Sequence, residues 1–382
     1  MKDISIYFRP LEERGAFEEQ SLGSRFQKHS EKGFPELSTG IAIFSCPEFR
    51  RSEFHVSKDE GHWRKRLYEL KFGGDWSFSC FDLGEVIPGD TIENTYFAIS
   101  QIITELVKNQ IVPVLIGGSQ DLTYAMYQGY QQLEQLLNLT VIDKSFDLGE
   151  PDEEVKADAF ISKILMSRPC YLFNCANIGV QQPYVRKDDI DLFEKLFFDV
   201  CRLGEFNADF KRAEPLLRNT DLMSIDMDAV RRSDYQGLSN TPNGFYADQI
   251  CQIMKYAGIS DKLSSIGFFN VAHRAEAGVE DALLAEMLWY FMDGYAQRKG
   301  DFPVGSKKDY QRFIVHLEGQ EEDLVFYKSP RSDRWWMEVP YPPVKGNQYE
   351  RQHIVPCNQE DYEQAMKNEM PDLWWKTYQK LH

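Results

Sequence analysis

The sequence predicts a three-layer α/β/α fold with a mostly parallel sheet, followed by a small α+β appendage at its C-terminal end. Short apolar runs alternate with segments whose apolar residues recur at helical spacing. Such alternation is typical of a parallel sheet that has helices on both faces. The pattern changes after Gly300, where short strand-like runs are followed by one helix-like segment.

The strands of the main body are predicted from apolar runs. These are GIAIFSC (40–46), FSCFDLGEV (78–86), IVPVLIGGS (111–119), LTVID (139–143), CYLFNCANIGV (170–180), TDLMSIDMDAV (220–230) and LSSIGFFNVA (263–272). Helical patterns cover 94–110, 122–137, 190–203, 246–260 and 279–300. In an open α/β sheet the site lies beyond the carboxyl ends of the strands, so the segments that follow these strands are the functional candidates.

The appendage is predicted from three further runs and a closing helix. The runs are FIVHLEG (313–319), DLVFYKS (323–329) and RWWMEVPYPP (334–343), and the turn SPRSD joins the last two. The closing helix covers 360–381 and is interrupted at Pro371. We therefore divide the chain into a main α/β domain, residues 1–302, and an appendage, residues 303–382, packed on it.

Composition excludes several classes of protein. Lysine plus arginine is 43 and aspartate plus glutamate is 60, a net charge of −17, which argues against a nucleic-acid binder and an anionic membrane surface. The seven cysteines are scattered without a CxxC pair, so neither a disulfide framework nor a thiolate zinc site is indicated. The sequence shows no signal peptide and no membrane-spanning stretch, so we expect a cytoplasmic protein without membrane insertion.

Acidic residues follow two of the predicted strands. DKSFD (143–147) places two carboxylates four residues apart, and SIDMD (224–228) places two more in a DxD pattern, an arrangement suited to a metal ion. Each segment also has an ordinary explanation. SIDMD is compatible with exposed acids at a strand end, DKSFD with a loop, and GGSQD (117–121) with a turn in which Ser119 or Asp121 caps a helix.

Taken in order, four segments resemble motifs of the ureohydrolase family, which includes arginase, agmatinase and formimidoylglutamase. GGSQD resembles the family's GGDHS, DKSFD resembles DAHxD, SIDMDAVRRSD resembles SxDxDxxDP, and IGFFNVAHR resembles the ExNPxxD strand. The resemblance covers roughly residues 40–300 and implies the arginase-like α/β/α fold. In that family these segments hold two manganese ions, and a metal-bridging hydroxide attacks a guanidinium or formimino carbon.

The resemblance also defines what this chain has lost. The metal-binding positions that it retains are Asp143, Asp147, Asp226 and Asp228. The two histidine positions hold Gln120 and Ser145, and the glutamate that orients the cationic substrate falls on Phe268. Three cations are new in these motifs, namely Lys144, Arg231 and Arg274. Carboxylates that converge without metal repel one another, so these cations are expected to supply part of the missing charge.

Two hypotheses of function follow. The first is a catalytically inactive, arginase-like homologue with no catalytic residue and no cofactor, retained to bind a protein or small-molecule partner. The second is a divergent C–N hydrolase for a guanidino or formimino substrate, with one manganese or magnesium ion held by the four aspartates. A purely structural protein differs from the first only in lacking a pocket. An oligomer is compatible with all three.

Two expectations concern side chains. Gln120 and Ser145 should face the pocket in which imidazoles would otherwise coordinate metal. At least one of Lys144, Arg231 and Arg274 should hydrogen-bond to one of the four aspartates, because unpaired carboxylates are costly to bury together.

Overall fold

A computed structural model describes residues 2–12, 17–52, 62–74, 76–150, 154–272, 276–303, 306–320, 322–342 and 349–382. Its main-body strands are β1 (Phe8–Arg9), β2 (Phe26–Lys28), β3 (Gly40–Cys46), β4 (Ser79–Val86), β5 (Ile111–Gly117), β6 (Leu137–Ile142), β7 (Leu172–Val180), β8 (Asp199–Arg202), β9 (Leu222–Asp226) and β10 (Ser265–Phe269). Its main-body helices are α1 (Trp63–Glu69), α2 (Ile92–Lys108), α3 (Leu122–Gln132), α4 (Phe160–Met166), α5 (Lys187–Lys195), α6 (Leu203–Ala208), α7 (Glu214–Arg218), α8 (Ala247–Ile259) and α9 (Val279–Ala296).

These strands form one ten-stranded sheet in the order β1-β4-β3-β5-β10-β9-β6-β7-β8, and β2 also pairs with β4. Every pairing is parallel except that of β1 with β4. Side chains along a strand alternate between two cores: Ile41 and Ile43 contact one, and Ala42 and Phe44 contact the other. Helices α1 and α6–α9 cover the first face and α2–α5 cover the second, which confirms the predicted three layers.

One predicted helix is wrong in part. Residues 190–203 were expected to be helical throughout, but α5 ends at Lys195 and the chain returns as edge strand β8. Phe197, with a φ of 56°, makes the reversal, and Val200 then pairs with Asn177 of β7. The apolar run Leu196–Cys201 satisfies helical spacing and also fits a half-covered edge strand, so pairing with β7 decides its structure.

The C-terminal residues form a separate antiparallel sheet. Its strands are β11 (Gln311–Val315), β12 (Leu324–Lys328), β13 (Trp335–Glu338) and β14 (Ile354–Cys357), paired in that order. Helices α10 (Gln359–Met366) and α11 (Asp372–Leu381) follow, and Pro371 separates them as predicted. Strand β14 has no counterpart in the sequence prediction, since its four residues are too few to show a period.

Buried polar groups join the two sheets at the amino edge of the main sheet. The Asp221 carboxylate accepts hydrogen bonds from the Asn138 side chain at 3.1 Å and from Arg351 Nη2 at 3.0 Å. Lys262 Nζ lies 3.8 Å from the same carboxylate and donates to Gln352 Oε1 at 3.3 Å. Because Asp221 and Lys262 are both buried, Arg351 and Gln352 of the C-terminal part complete a pairing that the main sheet leaves unfinished.

Arg218 makes a second connection across the same boundary. This buried guanidinium donates to the carbonyl oxygens of Trp335 at 2.8 Å and Cys357 at 2.9 Å, and to Glu214 Oε2 at 3.0 Å. The amino edge is therefore covered, and the carboxyl edge is the side of the sheet at which the predicted site residues lie.

No helix among the described residues is long and apolar enough to cross a membrane.

Candidate functional site

Strand register brings Asp143 and Asp226 together. Ile142 of β6 pairs with Ile225 of β9, and each aspartate is the next residue along its strand. Parallel strands in register place such residues side by side at the carboxyl edge of the sheet. Both side chains are buried. The two carboxylates lie close enough for the charge of Asp143 to raise the pKa of Asp226.

A tight loop brings Asp147 back towards Asp143. Asp147 has a φ of 49°, a left-handed conformation that aspartate tolerates better than most residues. Ser145 Oγ donates to Asp147 Oδ1 at 3.1 Å and to Asp143 Oδ1 at 3.4 Å. The two carboxyl groups lie close enough for each to shift the pKa of the other. Ser145 therefore lies against two of the four aspartates, as expected for the position of a lost imidazole.

Burial controls the protonation of this pair. It raises the pKa of Asp143 well above its usual range, and the charge of Asp147 raises it further. It also raises the pKa of Asp147 to about 7, although the neighbouring Asp143 and the hydrogen bond from Ser145 act in the opposite direction. Two carboxyl groups that interact this closely bind and release protons as a pair.

Asp226 and Asp228 also accept hydrogen bonds from backbone N–H groups, as Asp143 does from Ser145. The Asp228 N–H donates to Asp226 Oδ1 at 2.8 Å, and the Ser239 N–H donates to both Asp228 oxygens at 3.1 and 3.0 Å. Burial raises the pKa of Asp226 well above its usual range, and the carboxylates of Asp143 and Asp228 add to the rise. Burial also raises the pKa of Asp228, against the hydrogen bond from Ser239.

Gln120 occupies the first histidine position and is already engaged. Its Nε2 donates to Ser224 Oγ at 3.3 Å, and Ser224 lies two residues before Asp226 on the same side of β9. The loop that carries Gln120 runs so close to Glu48 that a Cβ on Gly118 would lie 1.8 Å from the Glu48 carbonyl oxygen. This close approach explains the second glycine of GGSQD.

Phe268 occupies the position of the substrate-orienting glutamate. It is fully buried in β10 and packs in the core beneath α8 and α9. An aromatic ring in that place offers no charge to a cationic ligand.

Lys144 and Arg231 do not meet the expectation that at least one of three cations hydrogen-bonds to one of the four aspartates, and Arg274 leaves that expectation open. Lys144 Nζ donates to Thr241 Oγ1 at 3.0 Å and to Ser239 Oγ at 3.2 Å. Arg231 pairs with Asp234 at 2.7 Å and stacks over the Tyr246 ring at 3.8 Å. Arg274 lies outside the described residues.

Lys144 nevertheless acts on the cluster at longer range. Its positive charge partly offsets the rise in the pKa of Asp143, Asp226 and Asp228. Ser239 connects it to Asp228, because the hydroxyl of Ser239 accepts from Lys144 while its N–H donates to Asp228. Ser239 and Thr241 belong to GLSNTPNGF (237–245), and no spacing in the sequence indicates that they meet a lysine 95 residues earlier.

Two carboxylate oxygens at the site have no hydrogen-bond donor within the described residues. They are Asp143 Oδ2 and Asp147 Oδ2, and both atoms are buried. A shared proton or one cation would satisfy them. Within the described residues, no three His, Cys, Asp or Glu side chains are gathered as closely as the ligands of a bound metal ion would be.

Comparisons with known proteins were made on sequence and on fold. The profile of the arginase family matches residues 54–291. No curated protein matches the chain.

Among solved structures, the formiminoglutamase of Trypanosoma cruzi with Mn²⁺₂ has a TM-score of 0.61 at 15% identity, covering 68% of this chain and 95% of that one. The formimidoylglutamase of Bacillus subtilis has a TM-score of 0.63 at 16% identity, covering 78% and 98%. The agmatine ureohydrolase of Thermoplasma volcanium has a TM-score of 0.55 at 14% identity, covering 68% and 91%. At these identities the likeness establishes the fold.

Proposed function

The chain belongs to the arginase family, and from that premise we propose that it is a catalytically inactive member, retained to bind a protein or small-molecule partner. One observation carries the proposal: the three positions that supply imidazole ligands and the substrate acid in the family hold Gln120, Ser145 and Phe268. Gln120 donates to Ser224, and Ser145 donates to Asp143 and Asp147. Phe268 packs in the core.

The donor set of this site does not fit a pair of manganese ions. Imidazole is a good ligand for first-row metals, whereas a serine hydroxyl is a weak one and the Gln120 amide presents its N–H₂ to Ser224. Without two ions, the site cannot form the metal-bridging hydroxide that carries out hydrolysis in the family. The carboxylates are stabilised instead by backbone donors to Asp226 and Asp228 and by the charge of Lys144. Burial raises the pKa of Asp143, which favours its neutral form.

The test is a release assay for urea, ammonia or formamide with arginine, agmatine or formimidoylglutamate and excess manganese. We expect no rate above the metal-only blank. An Asp226→Asn variant and an Asp309→Asn variant, which changes an exposed loop acid, serve as a matched pair. A rate that disappears in Asp226→Asn and persists in Asp309→Asn would overturn the proposal.

A second function is favoured by the two unpartnered oxygens, Asp143 Oδ2 and Asp147 Oδ2. One hard divalent cation at these oxygens would suit carboxylate ligation by manganese or magnesium and would make the chain a divergent C–N hydrolase. Titration calorimetry with Mn²⁺ and Mg²⁺ tests this without reference to activity. One equivalent of binding that is lost in Asp147→Asn and kept in Asp309→Asn would establish the ion site.

The partner surface is proposed to lie on the C-terminal part. Three large apolar side chains are exposed there, Ile314 at 55%, Met366 at 61% and Trp375 at 51%. Exposed apolar side chains mark an interaction surface where they lie side by side, so the proposal requires that these three do. Sedimentation velocity at micromolar concentration tests whether the partner is a second copy: a monomer at all concentrations would exclude self-association.

A further inference from the structure

A groove of about 610 Å³ lies between α2 and α3 and is closed on one side by the start of the segment that leads to α4. Its volume falls within the range of small-molecule sites. None of the four aspartates lines it. The groove is therefore separate from the carboxyl-edge site, and an inference from it does not depend on the proposed function.

Aromatic rings form the apolar part of the groove. Phe97 of α2 is 57% exposed, an unusual degree for a phenylalanine that faces a concave surface. Tyr124 of α3 is half-buried, and the buried Tyr96 ring lies 6.3 Å from it at 78°. Flat heterocyclic ligands stack on such rings, because every aromatic base presents a π-face.

Amide side chains form the polar part, and one of them is uncommitted. Gln131 Nε2 donates to the Pro169 carbonyl oxygen at 3.1 Å, and Gln132 Nε2 donates to Ser100 Oγ at 3.0 Å. Gln128, one turn before Gln132, forms no hydrogen bond within the described residues and lines the groove. An amide offers one donor and one acceptor side by side, so it recognises a ring edge with the complementary pair.

The charged groups around the groove are paired. Glu154 pairs with Arg51, which also lies 3.9 Å from Glu93. Lys163, the remaining charged residue of the lining, also has an interaction partner. No cation of the described lining is left to receive a phosphate or a carboxylate, so the groove suits an uncharged ligand.

We propose that this groove binds an uncharged adenine ring, as free base or as adenosine. Gln128 would pair with the adjacent amino group and ring nitrogen of adenine, N6–H donating to Oε1 and Nε2–H donating to N7, the pairing that glutamine makes with adenine in nucleic-acid recognition. The ring would stack on Tyr124 and Phe97. Guanine and hypoxanthine present two acceptors on that edge, which a single amide does not satisfy.

Titration calorimetry with adenosine and the full-length protein tests the proposal. We expect saturable one-site binding, and at least tenfold weaker binding to Gln128→Ala and to Tyr124→Ala. Gln135→Ala, the same substitution just beyond α3 and outside the lining, should bind as the wild type does. Inosine and AMP should each bind several-fold more weakly than adenosine. Inosine presents two acceptors where adenine presents a donor and an acceptor, and the phosphate of AMP has no cation to pair with.

Three results would overturn the proposal. They are no binding of adenosine at 5 mM, equal binding to wild type and Gln128→Ala, or equal affinity for adenosine and inosine. Melting temperatures of all variants confirm folding, and Gln128, on a half-exposed helix position, is not expected to change the melting temperature. The release assay above has no bearing on these outcomes.

Discussion

At the scale of single residues, the candidate site is a set of carboxylates at the carboxyl edge of the sheet. Asp143 and Asp226 are adjacent because β6 and β9 are adjacent. The donors to Asp143, Asp226 and Asp228 include one serine hydroxyl and three backbone N–H groups, and Lys144 reaches Asp228 through Ser239. The sequence predicted the four aspartates from strand ends, but the Ser239 and Thr241 contacts with Lys144 depend on a fold-specific meeting of two loops.

Replacing Asp147 with asparagine should stabilise the protein at neutral pH in the presence of a chelator. Asparagine accepts the left-handed backbone at φ 49° and removes one negative charge from the cluster. We expect a gain on the order of 1–3 kcal/mol in the free energy of unfolding. Urea denaturation at pH 8 measures it. Asp333→Asn, also at positive φ but exposed, is the control and should change stability by less than about 0.5 kcal/mol.

The effect of pH has a definite sign. Folding raises the pKa of Asp147 from its ordinary value to about 7, so the folded state binds the proton more tightly than the unfolded state. Protonation of Asp147 therefore adds to the free energy of unfolding of the wild type as the pH falls from about 7 towards about 4, and it adds nothing at higher pH. The advantage of Asp147→Asn should shrink over that interval. An advantage that is constant from pH 4 to 8 would contradict the raised pKa.

At the scale of elements, glycines decide how closely helices approach. A Cβ on Gly258 of α8 would lie 2.2 Å from the Phe291 carbonyl oxygen of α9, and a Cβ on Gly294 would lie 2.3 Å from that of Lys255. The two helices therefore pack backbone to backbone. The sequence located both helices from their apolar spacing, yet it gave no sign that these glycines face each other. Edge strand β8 was missed for a different reason, because its residues also satisfy helical spacing and only pairing with β7 distinguishes the two structures.

Gly258→Ala should separate α8 from α9 and lower the free energy of unfolding by about 2–4 kcal/mol, as overpacking against backbone does. Gly204→Ala is the matched control, because a Cβ there meets no atom within 4 Å and α6 gains a better helix former. Thermal unfolding measures the melting temperatures of both variants, and Gly258→Ala should have the lower one. Equal melting temperatures would mean that the contact between the helices relaxes without cost.

At the scale of the whole molecule, the C-terminal sheet completes the main body through buried charge. Asp221, Lys262 and Arg218 lie in the main body, and part of their hydrogen bonding comes from residues 335–357. The sequence predicted a packed appendage from its aromatic runs. It could not predict the polar connection, because Arg351 and Gln352 stand in no motif and contact residues far along the chain.

Arg218→Met should lower the free energy of unfolding by about 3 kcal/mol, because two buried carbonyl groups and Glu214 lose their donor. Arg212→Met, an exposed arginine in the same region, should have little effect.

Urea unfolding followed by tryptophan fluorescence, which reports mainly on the C-terminal part, and by circular dichroism should give coincident curves for the wild type. Two separate transitions would show that the sheets unfold independently.

The polar connection at the amino edge also bears on how the protein is made. Asn138 and Gln352 are 214 positions apart, and Arg218 and Cys357 are 139 apart. Because the ribosome releases the chain from its N-terminus, β6 and β9 emerge long before the residues that cover their starts. Until then Asp221 lacks its contact with Arg351, and Arg218 lacks the carbonyl oxygens of Trp335 and Cys357. We therefore expect the amino edge to be the last part of the sheet to close as the chain is synthesised.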